Sequence, residues 1–356
     1  MKKVIKFLAL TLTLITILSC IPACGMSDAD VHVFYYTYSD PYISTVRSAL
    51  DKKLSEAGIK YQDHDANNSQ TTQTEQIQTA ITKGAKAIIV NIVTTGSNDA
   101  AAGIVALAKN AGIPVIFFNR EVSDDVVKSY EKCAFIGTDA KEAGYLQGDM
   151  IGDYLVANFD QLDLNRDGKI SYVMFMGEKG NNEAIYRTTY SVENANKKLN
   201  NAGKPSLSFY DPQNTDKYLL DKDGKWSAQA ANEYMSTLLT SYNVANKNMV
   251  ECVICNNDGM AEGAISALNN AGFNTGAANS VTIPVFGVDA TSAAKELIAA
   301  KKMTGTIKQD ADGMAMAIAT VVSNLLNNKS ISEGMDNYPV DENVVKFRIP
   351  YSVYTG

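Results

Sequence analysis

Histidine is nearly missing from these 356 residues: His32 and His64 are the only two. Imidazole chemistry is thereby almost unavailable, whether as a catalytic base or as a metal ligand. Tryptophan occurs once, at Trp226. Of five cysteines, Cys20 and Cys24 fall at the very start, which leaves Cys133, Cys252 and Cys255, an odd number, and no complete disulfide framework. Cys252-Val253-Ile254-Cys255 has the spacing of a metal or redox pair. In a strand, however, residues three apart point to opposite faces, so the two thiols cannot meet on one ion and buried core cysteine is the better account. The chain has no Gly-rich phosphate loop and no nucleophile elbow. Cationic excess is absent too: the formal net charge is −7, which argues against nucleic acid as a partner.

The first residues do carry a targeting pattern. Lys2, Lys3 and Lys6 precede an apolar run over 7–18, with small residues before cysteine. Residues 1–24 are therefore expected to be a signal peptide, of lipoprotein type, with Cys24 (between Ala23 and Gly25) or Cys20 as the lipidated residue. An ordinary signal peptide or an uncleaved anchor is the other reading, although the run is short for a span of about 20 residues. The roughly 330 residues that remain exceed one comfortable core, so two lobes are expected.

From residue 31 onward, short β-branched or aromatic runs alternate with helical periodicity. Strands are expected at 31–38, 59–64, 87–93, 114–118 and 133–137, with helices at 43–57, 70–83 and 99–111 ended by Gly58, Gly84 and Gly112. The pattern then repeats, with strands at 170–176, 206–210, 251–256, 283–288, 303–308 and 344–351. The helices between them are expected at 140–156, 182–198, 228–241, 260–271, 293–301 and 314–326. So many strands call for two similar α/β lobes, each doubly wound around a mainly parallel sheet.

In such sheets ligands bind beyond the carboxyl ends of the strands. Asp40, Asn119, Asn257, Asp258, Asp289, Gln309 and Asp310 each follow an apolar strand run. This hydrogen-bonding, uncharged or acidic set suits a ligand rich in hydroxyl groups. Aromatic faces pack on the C–H faces of sugars, and Tyr42 and Trp226 are the candidates. Any one of these residues alone reads as a helix cap or core residue; the joint placement carries the functional reading.

The stretch 163–171 reads as a calcium loop. Asp163, Asn165 and Asp167 alternate as oxygen donors, Gly168 permits the turn, Lys169 offers its carbonyl and Ser171 a hydroxyl. The twelfth position holds Met174 where a bidentate Glu is expected. Either the loop is a solvated turn, or a carboxylate from elsewhere completes the shell. The β-type run 170–176 follows directly where a paired calcium hand would have its second helix, and that unusual junction favours the metal reading.

Tyr38-Ser39-Asp40-Pro41-Tyr42, Phe117-Phe118-Asn119-Arg120-Glu121, Gly137-Thr138-Asp139-Ala140-Lys141-Glu142, the calcium loop, Arg187-Thr188-Thr189-Tyr190, Asn256-Asn257-Asp258-Gly259-Met260-Ala261 and Phe286-Gly287-Val288-Asp289-Ala290 together resemble the bacterial galactose/glucose-binding proteins. These are substrate-binding components of sugar ABC transporters, and the resemblance spans about 31–351. It implies the type I periplasmic-binding-protein fold, two Rossmann-like lobes with a hinge: 28–138 plus 309–347, and 139–308 plus 348–356. It also implies that Tyr42, in place of a family Phe, and Trp226 stack on the two sugar faces. Hydroxyls would be held by Asp40, Asn119, Asn181, Glu183, Arg187, Asn257, Asp289 and Gln309. Asn181 and Glu183 stand where the family has His and Asp, and Gln309 where it usually has Asn. Glu251 would supply the missing carboxylate to a structural Ca2+, and Ser171 replaces a family Gln.

The expected protein is thus an extracytoplasmic, lipid-anchored monomer of the cell surface or periplasm. It closes on D-galactose or D-glucose and delivers the sugar to an ABC permease, with no reaction catalysed. Three alternatives remain: a sensor presenting sugar to a chemoreceptor or sensor kinase, a binder of another hexose or a pentose, and a sugar enzyme using Asp40 and Asp289 as an acid/base pair.

Overall fold

The structure, a computed structural model, describes residues 29–356. The expected targeting segment, with Cys20 and Cys24, lies outside the described residues. The chain begins with β1 (Val31–Tyr35), α1 (Pro41–Glu56), β2 (Tyr61–Asp65), α2 (Gln70–Thr82), β3 (Ala87–Val90), α3 (Asp99–Ala111), β4 (Val115–Phe118), α4 (Asp124–Lys128) and β5 (Cys133–Gly137). It continues with α5 (Ala140–Leu162), β6 (Ser171–Met176), α6 (Asn182–Asn201), β7 (Ser208–Phe209), β8 (Leu219–Leu220), α7 (Ala228–Ser241), β9 (Cys252–Cys255), α8 (Asp258–Asn270), β10 (Val285–Asp289), α9 (Ser292–Ala299) and β11 (Gly305–Lys308). The helix α10 (Ala311–Leu326) and the strands β12 (Lys346–Arg348) and β13 (Ser352–Tyr354) complete it.

Two sheets result. The first runs β12-β5-β4-β3-β1-β2 and is parallel throughout. The second runs β13-β11-β10-β9-β6-β7, parallel except for β13, with β8 also pairing on β6. Each sheet is covered on both faces, which is why its strands read as continuous apolar runs. Along β1, Val31, Val33 and Tyr35 enter one core and Phe34 the other. Along β9, Cys252 and Ile254 face the α5 side while Val253 and Cys255 face α7 and α8. The two thiols are free, buried and on opposite sides.

Polar caps turn strands into helices at the rim where the site forms. Asp40 caps α1, its carboxylate accepting from the Ile43 amide at 2.9 Å, with Pro41 as the next residue. Asn181 caps α6 and Asn257 caps α8 in the same way. The helix expected at 140–156 runs on to Leu162 and delivers the chain directly into the loop 163–171. Its Gly144, Gly148 and Gly152 recur every fourth residue and so share one face. An added Cβ there would lie 2.5 to 2.6 Å from the nearest atoms of α6, so these glycines set how closely the two helices approach.

The chain passes between the sheets three times: after β5, after β11 and after β12. The return after β11 brings α10 against α1 and the first core, through Met314, Ile318 and Val322. The stretch 344–351, expected as one strand, is a strand only over its middle, as β12, and β13 begins beyond it at Ser352. β12 pairs with β5 and β13 with β11, and Pro350 between them has no N–H to donate to a ladder.

Candidate functional site

The carboxyl ends of the two sheets face one another across a cavity, the place where ligands bind in folds of this kind. Its lining includes all ten residues proposed as sugar contacts: Asp40, Tyr42, Asn119, Asn181, Glu183, Arg187, Trp226, Asn257, Asp289 and Gln309. Tyr36 and Arg120 line it as well. Sequence reasoning had not singled out these two as contacts. Tyr36 ends the first apolar run, and Arg120 looks like an ordinary loop residue until the opposite lobe is seen.

Trp226 forms one wall. Its indole lies against Gly177 so closely that a Cβ there would stand 2.1 Å from the ring, and Arg187 sits 5.8 Å from its ring centroid. Backbone strain supports the placement. Asn119 (φ 59°), Trp226 (φ 56°) and Asp289 (φ 126°) all adopt left-handed conformations that cost energy for non-glycine residues. The surrounding structure holds each of them so that its side chain meets the cavity.

The polar atoms divide into those already engaged and those left free. Asp40 accepts from Tyr36 Oη at 2.6 Å as well as from its own helix. Asn257 accepts from the Met260 amide and donates to the Trp226 carbonyl, so it positions the indole as well as facing the cleft. Gln309 donates to Asp289 at 2.8 Å and accepts from Asn119 at 3.4 Å, joining the lobes. Tyr42 is buried, with its hydroxyl on the Met314 sulfur at 3.8 Å. Arg187 donates to the Asn256 carbonyl and to Tyr351 Oη, yet its Nε has no partner among the described residues.

Among the described residues, both carboxylate oxygens of Glu183 likewise lack a partner in any other residue, although Glu183 is only 5% exposed. A buried acceptor left unpaired costs about 1–3 kcal/mol, and more when it is charged. Burial raises the pKa of Glu183, with Arg187 opposing, and burial raises Asp289 well above the usual carboxylate range. Hydroxyl donors from a ligand would satisfy Glu183.

Residues 31–330 match the family described as periplasmic binding protein domain. The chain belongs to the periplasmic binding proteins. Among curated relatives, this binding protein is 35% identical over 326 residues to the D-galactose/methyl-galactoside binding periplasmic protein of Haemophilus influenzae, covering 91% of this chain and 89% of that one. Among solved structures it resembles an ABC transporter solute binding protein from Bacillus halodurans with bound myo-inositol, at 25% identity and a TM-score of 0.68, covering 93% of this chain and 96% of that one. A Clostridium phytofermentans solute binding protein with bound β-D-glucose shares the fold at 20% identity, with a TM-score of 0.72 and coverage of 91% and 93%. The two α/β lobes read from the sequence are those of this family, whose members bind ligands and do not transform them. Among the described residues no helix is long and apolar enough to cross a membrane.

The loop 163–171 lies between α5 and β6 at the end of its lobe away from the cleft, as Asp163 closes α5. Asp163 accepts from the amides of Asp167 and Gly168, and Asp167 accepts from the Lys169 amide. Glu251 reaches in from the start of β9, its two oxygens accepting from the Asn165 and Ser171 amides at 2.9 Å each. The Asn165 amide group bonds both polar atoms of the Met249 backbone, and the Ser171 hydroxyl donates to the Met249 carbonyl. Among the described residues no three His, Cys, Asp or Glu side chains are gathered as a ready-made metal site. The donors still have the chemistry of a hard cation site. All are oxygens, and the amide and hydroxyl oxygens retain lone pairs beyond their present bonds. Glu251 is 1% exposed and pairs with no Lys or Arg among the described residues. Burial first, then the charges of Asp163 and Asp167, raise its pKa.

Proposed function

We propose that this chain is an extracytoplasmic binding protein that closes its lobes around a neutral monosaccharide, D-galactose or D-glucose first, and delivers it to an ABC transporter permease. The observation that carries the reading is the cleft itself. Amides and carboxylates from both lobes converge there with one indole face, and an unpaired buried Glu183 awaits hydroxyl donors. The likeness to a galactose-binding relative adds support for the hexose. Because each lobe supplies part of the ring of contacts, ligand favours the closed arrangement over an open one.

Calorimetric titration of the stripped protein with D-galactose, D-glucose, D-xylose and D-ribose tests this. Tight binding of a hexose, lost on Trp226→Ala, is expected. Binding of none of the four overturns the sugar assignment. Uptake and chemotaxis assays in a deletion strain distinguish delivery to the permease from presentation to a chemoreceptor or sensor kinase.

We also propose that the loop 163–171 holds a structural Ca2+, through the side chains of Asp163, Asn165, Asp167, Ser171 and Glu251 and the carbonyl of Lys169. The ion would offset the mutual repulsion of three carboxylates and fasten the α5–β6 connection to β9. Lipidation at Cys24, or at Cys20, would tether the protein to a membrane surface; incorporation of labelled palmitate that disappears in the Cys24→Ser or Cys20→Ser variant tests that and says which.

A further inference from the structure

The cleft is bridged at its mouth by Glu178, a residue just after β6. Both of its carboxylate oxygens accept from Arg120 Nη2 of the opposite lobe, at 2.7 and 3.0 Å. One of them also accepts from the Trp226 indole N–H at 3.3 Å and from the Asn181 amide at 3.4 Å. Arg120 is itself fixed: it donates to the Val93 carbonyl at 2.8 Å and its guanidinium lies 4.4 Å from the Tyr36 ring centroid. Tyr36 in turn donates to Asp40. A continuous chain of contacts therefore runs from Asp40 through Tyr36, Arg120 and Glu178 to Trp226 and Asn181. It starts on a cavity residue of one lobe and ends on two of the other.

We propose that Glu178 is a positioning residue that couples lobe closure to the setting of the indole wall. Arg120 can reach Glu178 only when the lobes are together, because the two belong to different sheets. When the pair forms, the same carboxylate holds the indole N–H and the Asn181 amide. The indole thus receives a hydrogen-bond anchor in the closed arrangement, where it must present its face to the ligand. The side chains of the pair are only 5% and 19% exposed, so the charges are largely shielded from solvent and the bond is charge-assisted. A shielded, hydrogen-bonded charge pair of this kind is made after the ligand has entered the open cleft, so it acts on escape more than on entry.

The test uses stopped-flow binding of whichever of D-galactose, D-glucose, D-xylose and D-ribose the unaltered protein binds. Trp226 is the only tryptophan, so emission reads the indole in question. Glu178→Gln is expected to raise koff by about tenfold or more and to leave kon within about threefold. It should also shift the emission maximum of the sugar-bound form. Glu178→Asp keeps the charge with shorter reach and is expected to fall between. In a cycle with Arg120→Gln, the double variant should release sugar no faster than the worse single variant, because both changes remove one interaction. An unchanged koff in Glu178→Gln, or effects of the two substitutions that multiply independently, overturns the proposal. A merely structural role would lower thermal stability without the selective change in koff and emission.

Discussion

Adding one methyl group to Gly177 should disable the site while leaving the fold in place. An alanine Cβ at this position would stand 2.1 and 2.2 Å from two indole atoms of Trp226, where real Cβ contacts stay beyond 3.0 Å. The ring must move by about 1 Å or more, since a packed interior has no slack to absorb the overlap. Gly177 lies behind the ring and the cavity in front, so the movement intrudes on the ligand. A sugar face that hides roughly 100 Å2 of apolar surface against the indole gains about 2.5 kcal/mol at ~25 cal/mol/Å2. Losing that contact weakens binding by close to a hundredfold. Overpacking costs the fold about 1–3 kcal/mol, which a protein of this size tolerates. Calorimetric titration of Gly177→Ala with the preferred sugar, alongside its melting curve and its single-tryptophan emission, reads all three effects. A folded Gly177→Ala protein that binds sugar as tightly as the unaltered one would refute the placement of the indole against the ligand.

Acid stability should show two opposed contributions. Burial, then His32 and Lys83, lowers the pKa of His64 to about 4, so its contribution to stability is lost as pH falls from about 6.5 toward 4. Burial, then Asp51, raises Asp63 to about 7, so its contribution is lost as pH rises from about 4 toward 7. These two contributions oppose each other on a background set by other buried carboxylates with raised pKa values, Glu183, Asp258 and Asp289, so the variants are compared with the unaltered protein. Asp63→Asn should become acid-labile and His64→Gln alkali-sensitive, each by about 1–2 kcal/mol after allowance for partial exposure; identical pH profiles for all three proteins would contradict the assignment. Gly148→Ala should push α5 off α6, because its Cβ would meet two backbone carbonyls at 2.7 and 2.9 Å. The expected loss is about 1–3 kcal/mol of stability with sugar affinity kept, and a chemical denaturation midpoint equal to the parent's would count against it. Chelation with EGTA should lower the melting temperature and added Ca2+ restore it. Glu251→Gln should abolish that response, and a melting temperature indifferent to both reagents would dispose of the ion.

Much of the architecture was legible because local signals agree. Apolar strand runs ending in Asn or Asp announce both a helix cap and a residue at the ligand-facing rim, as at Asn257 and Asp40. The early end of β12 inside 344–351, and the start of β13 after it, were hidden, since an apolar stretch does not say which of two sheets it joins, and only Pro350 marks the break. Arg120 and Glu178 were hidden for a deeper reason: each reads as a surface charge in its own segment, and their meaning depends on a partner 58 positions away in another lobe. The glycines of α5 were likewise visible only as weak helix formers until α6 was seen pressed against them.

The three crossings have a consequence for how this molecule can be made or divided. The first sheet takes its edge strand from residues 346–348, after the whole second lobe has been laid down. No contiguous fragment contains a finished first lobe. A chain emerging from the ribosome keeps the β5 edge open until residues 346–348 have followed the whole second lobe, so completion of the first sheet must wait for the second. Removing the final eleven residues, 346–356, would bare one edge of each sheet at once.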